Sequence, residues 1–216
     1  MATYESFIKL HGSVGDLVFY TLNGKNVVRK KSGFNKTAFK KNPAYEKVRQ
    51  NSSEFGHCSK VGKSIRLALD QHIKNAKDPL LYQKFAKVMT EIKDLDMIAE
   101  RGKRTVKNGL STEKGRQLLK SFQFGEIANL EGQASVSLGL WNKNLHLSKG
   151  FNADEAEIIT LKIDFENYQT EQRSEIIPVK NPEDIAFEQY FPDGNDVILH
   201  FVVLKKENKI THMGFV

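Results

Sequence analysis

The spacing of apolar residues changes near Gly125, and this change constrains the fold more than any other feature of the 216-residue chain. Before Gly125, apolar residues recur three and four positions apart, which predicts helices that each bury one face. After Gly125, apolar and polar residues alternate, which predicts half-buried strands. We therefore expect an α+β protein. A basic domain of a β-hairpin and helices is predicted over residues 1–125, and an acidic, antiparallel β-sandwich-like domain over residues 126–216.

The N-terminal segment predicts a β-hairpin, preceded by a tight turn at Gly12 and Gly15. Asn23 and Gly24 separate two β-rich runs, and this dipeptide favours a type I′ turn because both central positions need positive φ. The first run carries apolar residues on both faces, and an isolated hairpin is only marginally stable. We therefore expect a helix or a partner chain to cover it. The residues predicted to form this interface are Val18, Tyr20 and Val28.

Three helices are predicted between the hairpin and Gly125. The first begins after Asn42-Pro43, the second after Asp78-Pro79, and the third at a Ser111 or Thr112 cap. Further along the chain, strands are predicted at residues 134–141, 159–165, 173–179, 196–204 and 210–216. The strand at residues 196–204 has apolar residues on both faces, so we expect it to be central in its sheet. A turn is predicted just before it, at Asp193-Gly194-Asn195.

The charge is distributed unevenly along the chain. In total, 33 lysine and arginine residues exceed 26 acidic residues, a net charge of +7. Residues 1–125 carry 25 basic and 11 acidic residues, or +14, whereas residues 126–216 carry 8 and 15, or −7. Opposite charges on two parts of one chain favour contact with nucleic acid or head-to-tail self-association.

The densest basic segment covers residues 25–49, where nine lysine and arginine residues accompany one acid, Glu46. Three interpretations remain open for it. It is a solvated face, a surface that contacts phosphates, or a surface that pairs with an acidic partner such as a neighbouring copy. The residues predicted to bind a partner or a nucleic acid are Lys25, Arg29, Lys30, Lys31, Lys40, Lys41 and Arg49.

The candidate catalytic motifs in the sequence are better explained as structure. Residues 56–64 resemble a phosphate-binding loop but have five residues where four are needed, and they lie in a helical pattern. His57 and Cys58 would point about 100° apart on a helix and could not act as base and nucleophile. We expect Cys58 in the core and His200 as a hydrogen-bonded core histidine. The sequence thus predicts no enzyme, no catalytic residues, no cofactor, no metal and no small-molecule substrate.

The charged residues between 94 and 104 are expected to form ion pairs on the solvent-exposed surface of a helix. Asp94, Asp96 and Glu100 are interpreted as members of solvent-facing helical ion pairs, with the basic side chains that follow them. Such pairs contribute little to stability.

The sequence also limits the compartment. No apolar run approaches the roughly 20 residues that a membrane-spanning helix needs, and the N-terminus lacks the pattern of a secretory signal. The single cysteine excludes an internal disulfide. We expect a protein without membrane insertion that is cytoplasmic, or assembled from the cytoplasm into a larger particle.

Several motifs together resemble a family of uncharacterised proteins of Bacteroidota. They are Gly12-Ser13-Val14-Gly15, Val18-Phe19-Tyr20, Asn42-Pro43, Glu54-Phe55-Gly56, Gly62-Lys63 and Glu100-Arg101-Gly102-Lys103-Arg104. The resemblance covers roughly residues 5–125. It implies no established activity, and it associates the chain with mobile-element, phage-like or surface-assembly proteins.

These observations lead to two hypotheses. The first is a non-enzymatic structural or assembly protein that self-associates or docks in a larger complex with other proteins. It is based on the two-sided hairpin and on the opposite charges of the two parts of the chain. The alternative is a nucleic-acid-binding protein that contacts phosphates through the basic segment.

Overall fold

The structure is a computed structural model that describes residues 2–6, 8–31, 36–139, 142–148, 150–192, 194 and 196–216. Among these residues it contains six α-helices, two 3₁₀ helices (Pro43–Tyr45 and Lys74–Ala76) and eleven strands, and every pairing between the strands is antiparallel. The predicted α+β class is confirmed. The chain divides into two compact units, Met1–Glu46 and Lys47–Val216.

The first unit is built on a four-stranded sheet. Its strands are β1 (Ala2–Thr3), β2 (Gly12–Val14), β3 (Leu17–Leu22) and β4 (Lys25–Lys30), in the spatial order β1-β4-β3-β2, and the helix α1 (Lys36–Lys41) follows. Asn23 and Gly24 join β3 to β4 with φ angles of 51° and 78°, so the predicted hairpin turn is confirmed. Of the two glycines predicted to form a tight turn, Gly15 lies in the turn between β2 and β3 with positive φ, whereas Gly12 is the first residue of β2.

The remaining helices precede the C-terminal strands. They are α2 (Glu46–Ala68), α3 (Asp70–Ile73), α4 (Leu81–Asp94), α5 (Val106–Leu110) and α6 (Glu113–Lys120). The predicted cap at Ser111 or Thr112 is confirmed, because Thr112 accepts a hydrogen bond from the Gly115 N–H in α6. Before α2, the 3₁₀ helix Pro43–Tyr45 begins at Asn42, which accepts a hydrogen bond from the Ala44 N–H. The short α5 was not predicted. It begins at the cap formed by Thr105.

Two sheets complete the second unit. The larger contains β7 (Glu155–Asp164), β8 (Gln169–Pro178), β10 (Val197–Lys206) and β11 (Lys209–Phe215), in the order β11-β10-β7-β8. The smaller contains β5 (Ala134–Leu138), β6 (Lys143–Leu147) and β9 (Ile185–Phe187), in the order β5-β6-β9. The predicted central position of β10 is confirmed. The strands β6 and β9 were not predicted, although Leu145 and Leu147 of β6 alternate with polar residues. The predicted features at Trp141, Asp193 and Asn195 lie outside the described residues.

The larger sheet separates two apolar cores, because successive side chains of a strand point to opposite faces. Phe201 packs with helical residues such as Phe85, whereas the next residue, Val202, packs with the smaller sheet. The predicted boundary at Gly125 therefore marks a change from helices to strands. It does not divide the core, because Phe85, before Gly125 in the sequence, and Phe201, after it, belong to one apolar core. Within the described ranges, no helix combines the length and apolar character needed to cross a membrane.

Candidate functional site

The predicted interface residues lie on two different faces of the N-terminal sheet. Tyr20 pairs with Val27 across the hairpin and Phe19 with Val28, and directly opposite residues share a face. Val18 and Tyr20 therefore lie on one face, and Val28 lies on the other. We call these the Tyr20 face, which consists of Val18, Tyr20, Leu22 and Val27, and the Phe19 face, which consists of Val14, Leu17, Phe19 and Val28.

Both faces leave apolar side chains in solvent. Val14 is 69% exposed, Leu17 is 43% exposed and Leu22 is 49% exposed. Val14 and Leu17 lie directly opposite each other, so they form a continuous apolar patch on the Phe19 face. Among the described residues of this unit, Val27 is the only buried hydrophobic.

The structure brings only some of the predicted basic residues to a common surface. Lys25 and Arg29 lie on the Tyr20 face, where the Arg29 guanidinium carbon is 6.0 Å from the centre of the Tyr20 ring. Lys30 pairs with Leu17 and lies on the Phe19 face, and Lys31 follows the end of that strand. The others are in helices, namely Lys40 and Lys41 in α1 and Arg49 in α2.

A buried cluster of charges lies in the second unit, around Glu54 of α2. Its side chain is 2% exposed, and its carboxylate accepts hydrogen bonds from Lys93 Nζ at 2.8 Å and from the Gly102 N–H at 2.6 Å. Arg104 donates two more, from Nε at 2.9 Å and from Nη2 at 2.8 Å. These donors, Arg104 above all, hold the pKa of Glu54 far below its usual range, although burial opposes them. We call these residues the Glu54 cluster.

The interpretation of Asp96 as a solvent-facing helical residue is wrong. The helix α4 ends at Asp94, and Asp96 is buried in the loop that follows. One of its oxygens accepts from the N–H groups of Ile98 and Ala99 at 2.9 and 3.0 Å, and the other accepts from the Thr105 N–H at 2.9 Å. These bonds outweigh burial and lower the pKa of Asp96.

Asp94 and Glu100 differ from Asp96. Asp94 is half-exposed and contacts Lys93 and Arg104 at 2.6 and 3.0 Å, so it belongs to the rim of the Glu54 cluster. Glu100 is exposed and lies 3.6 Å from Lys103, which agrees with the predicted surface pair. The loop from 95 to 105 is thus fastened to α2 and α4 by charge rather than by apolar packing.

His57 links α2 to α5 and to the turn after β7. Its Nε2 lies 3.0 Å from the Val106 backbone nitrogen and its Nδ1 lies 3.2 Å from the Tyr168 hydroxyl. A backbone N–H only donates, so Nε2 accepts and the neutral ring carries its proton on Nδ1. Burial lowers the pKa of His57, which favours this neutral form.

A polar cleft of about 780 Å³ opens beside His57 and is bounded by the β7–β8 turn. Both ring nitrogens of His57 are occupied by protein groups, and the Asp164 carboxylate accepts from the N–H groups of Glu166 and Asn167. These side chains therefore stabilise the turn and the helix ends around the cleft. Across the described ranges, no three histidine, cysteine, aspartate or glutamate side chains are grouped as metal ligands.

The structural interpretations of the other motifs are confirmed. Residues 56–64 lie inside α2, and Cys58 is fully buried with its Sγ 3.5 Å from the Met89 carbonyl oxygen. Burial raises the pKa of the Cys58 thiol. His200 is buried, and its Nδ1 lies 3.2 Å from the Thr160 hydroxyl.

Sequence reasoning missed the Glu54 cluster, although a signal for it was present. Glu54 precedes Cys58 by four positions, and Lys93 follows Met89 by four, so each charged residue lies on the apolar face of its helix. Charged residues are almost never fully buried unless they are paired. Two opposite charges on two apolar helix faces therefore predict a buried ion pair.

Comparisons of the chain with models of protein families, with curated proteins and with solved structures gave no match. The resemblance to a Bacteroidota family stays a prediction. Two of the motifs that carry it nonetheless meet in this structure. Glu54 of Glu54-Phe55-Gly56 and Arg104 of Glu100-Arg101-Gly102-Lys103-Arg104 form an ion pair in which the Glu54 side chain is buried.

Proposed function

We propose that the protein is a non-enzymatic assembly protein whose copies meet through the N-terminal sheet. The observation that carries this proposal is how little apolar surface is buried among the described residues of that unit. One buried hydrophobic residue, Val27, accompanies three exposed ones on the two faces of the sheet. Burial of a large apolar side chain contributes roughly 1.5–3 kcal/mol, so a single one leaves a four-stranded sheet marginal.

The Phe19 face is the better candidate for the contact. Val14 and Leu17 form its exposed pair, and Phe19 and Val28 continue the same surface. A cation borders the exposed residues on both faces, because Leu22 pairs with Lys25 on the Tyr20 face and Leu17 pairs with Lys30 on the Phe19 face. The Phe19 face has two exposed large apolar residues, Val14 and Leu17, whereas on the Tyr20 face Leu22 alone is exposed. An apolar patch rimmed by charge is typical of a protein interaction site.

Charge supports self-association in particular. Residues 1–125 carry a net charge of +14, whereas residues 126–216 carry a net charge of −7. Attraction between unlike parts of two copies favours their encounter and orients them.

Nucleic-acid binding remains the second hypothesis and has less support. The basic residues of the hairpin do not share one surface, because Arg29 and Lys30 lie on opposite faces of β4. A phosphate backbone approached from one side would meet only part of the set.

Sedimentation velocity of the full chain tests the proposal. We would measure the mass over a concentration series at low and moderate salt, with and without a generic duplex DNA. Discrete oligomers are expected without DNA, and Val14→Ser with Leu17→Ser should weaken them. Leu138→Ser, which alters an exposed residue of β5, is the matched control and should leave them unchanged.

Two results would contradict the proposal. A monomer at every concentration and salt rules out self-association. A monomer that shifts in mass only with DNA, and loses the shift as salt rises, supports the nucleic-acid hypothesis instead.

A further inference from the structure

We infer that the groove between α2 and α4 receives the loop at residues 96–100 of a second copy of the chain. This inference rests on the proposed function, because it names a second surface through which copies meet. The groove and the loop both belong to the second unit, whereas the N-terminal sheet belongs to the first.

The groove has a volume of about 490 Å³ and is lined mainly by apolar atoms. Two exposed aromatic side chains, Phe55 of α2 and Tyr82 of α4, form part of its lining. Exposed aromatic residues are enriched at protein interfaces, where they contribute large contact areas. The groove therefore suits an apolar side chain from a partner.

Arg66 gives the groove a charge that is partly desolvated without compensation. Its Nε is buried and has no hydrogen-bond partner among the residues that the structure describes. Burial alone lowers the pKa of its guanidinium, with no acidic neighbour contributing. A carboxylate supplied by a partner would offset this desolvation.

The loop carries the two kinds of group that would complement the groove. The consecutive residues Met97 and Ile98 are 90% and 85% exposed. Glu100 follows, exposed and held by only one long contact of 3.6 Å to Lys103. The loop thus combines two apolar side chains with one acidic side chain.

The loop is held in place before any partner arrives. Asp96 accepts hydrogen bonds from the backbone of Ile98, Ala99 and Thr105, and Arg101 donates one to Asn51 of α2 at 2.9 Å. A pre-ordered loop loses little conformational entropy on binding. Two unlike surfaces, one apolar with a cation and one apolar with an anion, are therefore presented on every copy.

Contact between unlike surfaces determines what assemblies form. If the loop and the groove of two copies meet reciprocally, the pair closes as a dimer. If each copy uses its loop on one neighbour and its groove on another, the result is a ring or a filament.

The test uses full chains in which the N-terminal sheet contact is removed by Val14→Ser, Leu17→Ser and Leu22→Ser together. To this background we would add either the loop change, Met97→Ser with Ile98→Ser, or the groove change, Phe55→Ser with Tyr82→Ser. All of these residues are exposed, so the fold should persist, and circular dichroism checks it. The loop change and the groove change are also made in the wild-type chain, and self-association is measured there as well.

The background protein is expected to self-associate, more weakly at higher salt. Either change should raise the dissociation constant about 100-fold, because two apolar side chains lose their burial. An equimolar mixture of the loop and groove proteins should associate again, since one has an intact groove and the other an intact loop. Glu100→Lys should weaken binding, and Leu138→Ser should not.

The two proposals fail in different ways. A wild-type chain that stays monomeric overturns the proposed function. A wild-type oligomer with a monomeric background protein leaves that function intact and overturns this inference. Association that the groove change abolishes and the loop change spares shows that another segment occupies the groove, and also overturns it.

Discussion

The carboxylate of Glu54 lies 2.8 Å from the ammonium nitrogen of Lys93, and both side chains are buried, at 2% and 5% exposure. The two residues come from α2 and α4, and Arg104 completes the contact from the loop that follows α4. Breaking a buried ion pair is costly because the remaining charge stays desolvated. The Glu54 cluster is therefore a sensitive point of the fold.

Glu54→Gln should lower the free energy of unfolding by about 3–5 kcal/mol. The amide keeps the size of the side chain but leaves Lys93 and Arg104 without a counter-charge. Urea denaturation measures the change. Glu100→Gln, at an exposed surface pair, is the control and should change stability by less than about 1 kcal/mol. Equal effects of the two substitutions would show that the cluster contributes no more than a surface pair.

The glycines of the helices should respond to alanine in opposite directions. In α5, a Cβ on Gly109 would lie 2.0 Å from the Ile92 carbonyl oxygen, so Gly109→Ala should cost more than about 2 kcal/mol. In α2, a Cβ on Gly56 meets nothing within 4 Å, so Gly56→Ala should stabilise by up to about 1 kcal/mol through helix propensity. Thermal unfolding of both variants checks the contrast, and a loss of stability in Gly56→Ala would contradict it.

Stability should decrease as the pH falls below about 6.5, the ordinary pKa of histidine. Burial lowers the pKa of His57, His72 and His212, so the folded chain keeps them neutral while the unfolded chain binds protons. Their contribution is complete above the unfolded pKa and is lost as the pH falls through the lower folded values. For His72, burial outweighs the attraction of Glu157.

A second loss is expected at lower pH, from carboxylates. The pKa values of Glu54 and Asp96 are lowered in the folded state, so stability falls further once the pH drops below their ordinary range near 4. Urea denaturation between pH 8 and pH 3 measures both steps. The control His11→Gln, at an exposed histidine, should leave the first step unchanged. A stability that is constant from pH 7 to 5 would refute the first step.

Cys58 should react with thiol reagents only when the chain opens. The side chain is fully buried, so reagents cannot reach it in the folded protein. Burial also raises the pKa of its thiol, so the reactive thiolate form is rare. The labelling rate should be slow in buffer and approach that of a free thiol in denaturing urea. Rapid labelling of the folded chain would show that α2 separates from α4 near Met89.

The local features of the fold were predictable because their causes are local. The hairpin turn at Asn23-Gly24 and the helix cap at Thr112 depend on residues that are close in sequence, and the structure confirms them. The candidate surfaces were predictable only in part. The sequence identified an apolar hairpin. Only the pairing of Phe19 with Val28 showed that Val28 lies on the other face of the sheet from Val18 and Tyr20.

The sequence by itself determined most of the longer helices and strands and their apolar sides, because periodicity and turn chemistry act over a few residues. It did not determine the short elements α5, β6 and β9. Only the tertiary structure decided which charges are buried. Glu54 and Arg104 are 50 positions apart, and their pairing requires α2 and α4 to pack and the intervening loop to fold back. The same packing buries the polar Asp96 and leaves the apolar Met97 and Ile98 exposed. The local sequence could not reveal this inversion.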